Sequence, residues 1–93
     1  MNNVQIVEIP VRVGQVVYMK KEPWWEDTTI EPFQVTNISV HQNKKGIWTK
    51  KFRAAWLYCD KVTTLSHDPS FEDIGKSVFF SKEEAERYFL NVT

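Results

Sequence analysis

The feature that most constrains the fold of this chain is an alternating segment that follows a glycine turn. Phe52 and Trp56 share one phase of the repeat, and Lys51 lies in the opposite phase. A repeat of two residues is typical of a β-strand with one buried face. The preceding turn ends at Gly46, and glycine accepts the positive φ angle that short hairpins require. The sequence therefore predicts a hairpin whose return strand covers about residues 47–60.

The incoming strand of this hairpin, predicted over residues 33–41, contains a break in its alternation. The apolar residues are Phe33 and Val35, followed by Ile38 and Val40. The alternation of apolar and polar residues therefore shifts by one residue between the two pairs. Such a shift turns side chains to the other face of the sheet unless a β-bulge absorbs the extra residue. We therefore predict a bulge near Asn37.

Three further apolar segments, rich in β-branched residues, are predicted to be strands. They cover residues 4–9, 11–19 and 77–80, and Gly14-Gln15 punctuates the second of them between residues 11–13 and 16–19. Residues 61–70 are more polar and are predicted to be a connection. Together with the hairpin, these segments indicate a strongly bent antiparallel sheet of five strands.

The C-terminal residues predict a short helix over residues 82–91. Ser81 and Glu84 have the spacing of a capping box, in which each side chain accepts a hydrogen bond from the backbone of the other residue. Glu83 and Arg87 have the i,i+4 spacing of a helical ion pair. The apolar face of this helix consists of Ala85, Tyr88, Phe89 and Val92. Because so short a helix is marginal alone in water, this face is expected to dock on the sheet and close it. The expected class is α+β, mainly β.

Length and charge limit the classes of protein that remain. Residues 1–93 suffice for a single domain with one hydrophobic core. The 12 basic and 12 acidic residues cancel, which argues against general attraction to nucleic acid or anionic membranes. The N-terminus lacks the pattern of a signal peptide, and no apolar segment is long enough to cross a bilayer. We expect a soluble cytoplasmic protein with no membrane partner.

Catalytic or metal-binding patterns are not evident in the sequence. Cys59 excludes an intrachain disulfide, since it is the one cysteine, and it is expected to be a buried, inert thiol. His41 and His67 are expected to be surface or turn residues, without the spacing of metal ligands. The glycines form no phosphate-binding loop. The sequence therefore predicts a non-enzymatic protein without a metal or cofactor.

Two adjacent tryptophans, Trp24 and Trp25, lie in a predicted loop over residues 21–32. Adjacent residues on an extended backbone project to opposite sides, so one indole would pack inward while the other stays exposed as a partner-binding residue. In the alternative arrangement both indoles cover an open end of the sheet. The acidic residues that would form a rim around the first arrangement are Glu22, Glu26, Asp27 and Glu31.

A basic hairpin is the second candidate for binding. Its cations are Lys44, Lys45, Lys50, Lys51 and Arg53. Small β-barrels bind nucleic acid through charged hairpins with interspersed aromatic rings, and such binding weakens with salt. The structural explanation is a solvated face whose lysines oppose aggregation between sheet edges.

Both ends of the chain resemble small proteins encoded by phages and prophages of gut-type bacteria. The segment 75–86, Gly-Lys-Ser-Val-Phe-Phe-Ser-Lys-Glu-Glu-Ala-Glu, is similar to their ending, Gly-Lys-Thr-Val-Phe-Leu-Thr-Arg-Glu-Glu-Ala-Glu. The segment 9–18 is similar to their opening, in which Val-Gly-X-X-Val-Tyr leads into an SH3-like sheet. The resemblance covers about a quarter of the chain. It implies an SH3-like small barrel, a bacterial host cell and an accessory role in a mobile element, and it supplies no functional residues.

Three hypotheses of function follow from these observations. The leading one is a protein-binding module that engages a host or phage protein through Trp24 and Trp25. The alternative is a nucleic-acid-binding small β-barrel that uses the basic hairpin 44–53. The third is a self-assembling protein that pairs through an edge formed by residues 4–9.

Overall fold

The computed structural model describes residues 8–26 and 29–91 and is mainly β, with one C-terminal α-helix. The strands are β1 Val16–Lys20, β2 Ile30–Gln42, β3 Trp48–Tyr58 and β4 Lys61–His67. They form one antiparallel sheet in the order β1-β2-β3-β4. A 3₁₀ turn, Phe71–Asp73, precedes helix α1, Lys82–Asn91. The predicted class and the predicted helix over residues 82–91 are confirmed.

The prediction of five strands in a closed small barrel is wrong. The sheet has four strands and is open, with β1 and β4 at its edges. The predicted strand 77–80 contributes isolated bridges, in which Phe79 exchanges backbone hydrogen bonds of 2.7 and 2.9 Å with Tyr18. It cannot extend further because the helix begins at Lys82. The first predicted strand falls largely outside the described residues.

Of the segment predicted over 11–19, only the part after the expected break at Gly14-Gln15 is a strand. Residues 13 and 14 form a turn in which Gln15 N–H donates to the Arg12 carbonyl over 3.0 Å. Gly14 has a φ angle of 95°, in the left-handed region that favours glycine. The turn delays the start of β1 to Val16.

Strand β4 lies where the sequence predicted a connection over residues 61–70. Cys59 and Asp60 join β3 to β4 in a two-residue turn, with φ angles of 51° and 62°. Positive φ at both central residues is the geometry of a tight hairpin turn. Strand β3 therefore ends at Tyr58, and Cys59 is exposed in the turn rather than buried in a strand. The sequence signal was weak because this turn contains neither glycine nor asparagine.

The predicted bulge in β2 is confirmed. Val35 pairs with Ala54 and Asn37 pairs with Arg53, so Thr36 is the extra residue. The bulge restores the phase of the strand, because Ile38 then packs against the core.

The hydrophobic core lies on one face of the sheet. Its buried members are Val11, Val17, Met19, Phe33, Val35, Phe52, Ala54 and Val78. Helix α1 packs elsewhere, with its Tyr88 and Phe89 rings 5.2 and 5.8 Å from the ring of Phe79. Because bridge partners project to the same face, Phe79 lies on the face of Tyr18, opposite Val17 in the alternation of β1. The helix thus packs on this face of the sheet, against β2 as well as β1.

The Ser81 half of the predicted capping box is present at the start of the helix. Glu84 N–H donates to Ser81 Oγ over 3.1 Å. We expect Ser81→Ala to lower the free energy of unfolding by about 1 kcal/mol, because an N-terminal donor of the helix loses its partner. Urea denaturation measures this change, and Ser66→Ala on the exposed side of β4 is the control. Equal effects of the two substitutions would contradict the assigned cap.

The ion pair that forms along α1 differs from the predicted one. Lys82 Nζ lies 4.0 Å from Glu86 Oε1, one residue earlier than the expected pair of Glu83 and Arg87. Both side chains of the observed pair are largely exposed, so the pair contributes little to stability. Val92, which was assigned to the apolar face, lies outside the described residues.

Candidate partner-binding surface

The loop between β1 and β2 presents both tryptophans to solvent. Trp24 is 67% exposed and Trp25 is 60% exposed. We call residues 21–26 the Trp loop. Trp25 N–H donates to the Glu22 carbonyl over 3.0 Å, so the backbone turns at this point. Because the segment is a turn rather than extended, neither arrangement expected from the sequence occurs: no indole enters the core or covers the sheet.

The base of the Trp loop is tied to the strands on both sides. Lys21 N–H donates to the Thr29 carbonyl over 2.9 Å. The Lys21 carbonyl lies 2.8 Å from Nε2 of His67 in β4. Since a carbonyl only accepts, this contact requires the His67 proton on Nε2. The loop is therefore anchored by its neighbouring strand and by a strand across the sheet.

His67 was not recognised from the sequence as part of this surface. Its ring lies 5.3 Å from that of buried Phe33 and 6.1 Å from that of Trp24, the latter edge to face. The expected surface histidine is in fact half-buried and connects the core to the Trp loop. Only the pairing of β4 with β3, which places His67 opposite Ala54, could reveal this position.

A second aromatic pair extends the surface along the same end of the sheet. Trp56 and Tyr58 have ring centroids 5.2 Å apart, and Tyr58 is largely exposed. Lys21 Nζ lies 3.8 Å from the Trp56 ring centroid, a cation–π contact. Lys21 is thus held at its backbone by His67 and at its ammonium group by Trp56.

The predicted acidic rim is present in part. Glu26 is exposed, whereas Glu22 and Glu31 are half-buried. Asp27 lies outside the described residues. The exposed part of the Trp loop therefore combines two indoles with one carboxylate.

A groove lies between the Trp loop, the end of β4 and helix α1. Its volume is about 390 Å³. Its lining includes Met19, Lys20, Pro23, His67, Val78 and Phe89. The groove is continuous with the Trp loop, because Pro23 belongs to the loop and His67 contacts Trp24.

The cations of the basic hairpin do not form one surface. Lys44 and Lys45 are exposed at the tip, where Asn43 Oδ1 accepts hydrogen bonds of 2.9 Å from the backbone of Lys45 and Ile47. Lys50 and Lys51 are adjacent in β3 and therefore project to opposite faces.

Arg53, the fifth cation, forms an ion pair with Asp68. Its Nε lies 2.8 Å from Asp68 Oδ1, and its second nitrogen contacts Oδ2 at 3.4 Å. The arginine is therefore engaged within the protein, on the same face as Lys51.

The same ion pair makes stability depend on pH. The hydrogen bond from Arg53 is the main cause that lowers the pKa of Asp68 below its ordinary value. The pair therefore stabilises the fold above the unfolded pKa of about 3.9, and this contribution is lost as the pH falls through the lower folded pKa. We expect Asp68→Asn to destabilise the protein at neutral pH and to make its acid unfolding less steep. Arg53→Gln should have the same effect, and unchanged acid profiles would contradict it.

No group of three or more histidine, cysteine or acidic side chains that could hold a metal occurs within residues 8–26 and 29–91. In the same part of the chain, no helix is long and apolar enough to cross a membrane.

The chain matches no known protein family, no curated protein and no solved structure. The resemblance of residues 9–18 and 75–86 to phage and prophage proteins stays a prediction.

Proposed function

We propose that this protein is a non-enzymatic protein-binding module, an accessory protein of a phage or prophage that acts in the cytoplasm of the bacterial host. It binds a host or phage protein through Trp24 and Trp25. The observation that carries the proposal is the exposure of two adjacent indoles, at 67% and 60%, on an anchored loop. Tryptophan is among the residues most enriched where protein interfaces gain their binding energy.

The exposed indoles offer a large driving force for association. A tryptophan side chain can remove on the order of 150–250 Å² from water, and 67% of Trp24 and 60% of Trp25 are still exposed. Burying this remainder on both residues would contribute roughly 5–8 kcal/mol before the cost of association is subtracted. Such a gain is comparable with the contribution of a central hot spot.

The anchored base of the loop reduces what association costs. Lys21 is fixed through its backbone by His67 and through its ammonium group by Trp56. A loop that is ordered before binding loses less conformational entropy when a partner covers it. The geometry therefore favours a preformed binding surface.

Nucleic-acid binding by the hairpin 44–53 is a second proposal. It is supported by the exposed Lys44 and Lys45 at the tip and by exposed Lys51 on the adjoining strand. The ion pair of Arg53 with Asp68 weakens it, because that arginine is already engaged. Binding of this kind should weaken steeply as the salt concentration rises.

Affinity capture from bacterial lysate, with and without nuclease, tests these proposals. The baits are the wild-type protein, Trp24→Ala/Trp25→Ala, and a variant with glutamine at Lys44, Lys45 and Lys51. We expect the wild type and the lysine variant to retain the same protein after nuclease, and the tryptophan variant to lose it. Capture that requires nucleic acid and the lysines would favour the second proposal. Equal capture by all three baits would overturn the assignment of the surface.

A further inference from the structure

The groove beside the Trp loop has the shape and chemistry of a site for part of the partner. We propose that it accepts one apolar side chain from a partner segment that carries an acidic residue next to it. This inference rests on the proposed function and specifies the kind of segment that the Trp loop recognises. It follows from the lining of the groove, from its charge and from its continuity with Trp24.

The apolar part of the groove has a buried floor and more open walls, since Pro23 is exposed and Phe89 is half-buried. Met19 and Val78 belong to the buried core, and Pro23 and Phe89 add apolar surface on either side. A volume of about 390 Å³ lies within the range of sites that hold small ligands. An apolar side chain placed there would cover carbon surface that water otherwise contacts, at a gain of about 25 cal/mol per Å².

The charge of the groove favours an acidic residue next to the apolar side chain of the partner segment. Its lining includes one lysine, Lys20, and one carboxylate, Asp68. Asp68 is neutralised by Arg53 at 2.8 Å, whereas the described contact of the Lys20 ammonium is the Phe89 ring, 4.3 Å from its centroid. Within the described residues no ion pair involves Lys20. The uncompensated charge is therefore positive, and a basic segment would meet repulsion.

Continuity with the Trp loop makes the groove part of one surface. Pro23 lines the groove and directly precedes Trp24. His67 lines it as well and contacts the Trp24 ring edge to face. A segment that covers Trp24 therefore passes the mouth of the groove, where its apolar side chain can enter.

Two capped dipeptides test the groove directly on the full chain. N-acetyl-Leu-Glu-amide and N-acetyl-Leu-Lys-amide are titrated separately while the methyl resonances of Met19 and Val78 are followed by NMR. We expect the Leu-Glu compound to shift both resonances and to bind about tenfold more tightly, the equivalent of about 1.4 kcal/mol. Equal affinities for the two compounds, or no shift with either, would overturn the inference.

Two variants separate the apolar and the electrostatic parts of this site. Ser77 lines the groove and is exposed, so Ser77→Phe should fill it and abolish the shifts. Ser66→Phe, on an exposed strand position away from the lining, is the matched control. Lys20→Glu should reverse the preference in favour of the Leu-Lys compound, and this test remains decisive if Ser77→Phe fails to fold. An unchanged preference in a folded Lys20→Glu protein would overturn the inference.

The lysate experiment distinguishes failure of this inference from failure of the proposed function. Capture that depends on Trp24 and Trp25 but is unaffected by Ser77→Phe and Lys20→Glu would retain the binding module and overturn the role of the groove. Capture that depends on all of these residues supports both. Capture that is indifferent to the tryptophans would overturn the function on which the inference rests.

Discussion

Phe33→Ala is expected to lower the free energy of unfolding by about 3–5 kcal/mol, because it removes a fully buried ring and leaves a cavity. Phe33 is 0% exposed and lies between Val17 of β1 and Trp56 of β3 in the sheet register. Its ring also supports His67, which anchors the Trp loop. Since small domains are stable by only about 5–15 kcal/mol, this variant should be close to unfolding at room temperature.

Urea denaturation followed by fluorescence and circular dichroism measures this effect. Trp24→Ala is the informative control, because it removes an even larger aromatic side chain from a position that is 67% exposed. Its expected cost is within about 0.5 kcal/mol. A similar loss of stability in both variants would show that Trp24 is part of the core and would contradict its role in binding.

Trp24→Ala/Trp25→Ala is expected to weaken binding of the captured protein by at least about 30-fold, the equivalent of roughly 2 kcal/mol at a hot spot. The physical reason is that both indoles are exposed before association and can be buried fully by a partner. Isothermal titration calorimetry with the purified partner measures the change in Kd. The thermal unfolding midpoint of the variant should stay close to that of the wild type.

Ile47→Ala is the matched control for this measurement. Ile47 is also a largely exposed apolar residue, but it lies beside the turn between β2 and β3, at the opposite end of β2 from the Trp loop. Its substitution should leave the Kd unchanged. If Ile47→Ala weakened binding as much as the tryptophan variant, the partner would contact the tip of the basic hairpin, and the proposed surface would be wrong.

The parts of the fold that were predicted correctly depend on local patterns. The alternation at Phe52 and Trp56 identified β3, and the phase shift in β2 located its bulge to within one residue of Thr36. Ser81 marked the start of the helix because a capping side chain acts on backbone groups a few residues away. Each of these signals lies within a short segment, so pairing with distant strands is not needed to recognise it.

The errors have a common origin in contacts between distant residues. Strand β4 was missed because its turn, Cys59 and Asp60, adopts positive φ without glycine, and the pairing with β3 compensates this strain. The predicted strand 77–80 was reduced to bridges because the helix begins directly after it. The predicted closure of the sheet was wrong for a related reason: β1 and β4 lie at opposite edges of the four-stranded sheet and do not pair with each other.

The candidate site likewise has features that the sequence predicts and features that only the tertiary structure decides. Trp24 and Trp25 were recognisable from the sequence as unusual neighbours, since large adjacent rings in a charged loop are hard to bury together. Their exposure, the anchoring by His67 and the groove beside Lys20 depend on β4 and α1 reaching the same end of the sheet. Residue types and local spacing thus determined the hairpin, the bulge, the cap and the identity of the aromatic residues. The tertiary structure alone decided which of them reach solvent together, because that arrangement arises from hydrogen bonds and packing between residues far apart in the chain.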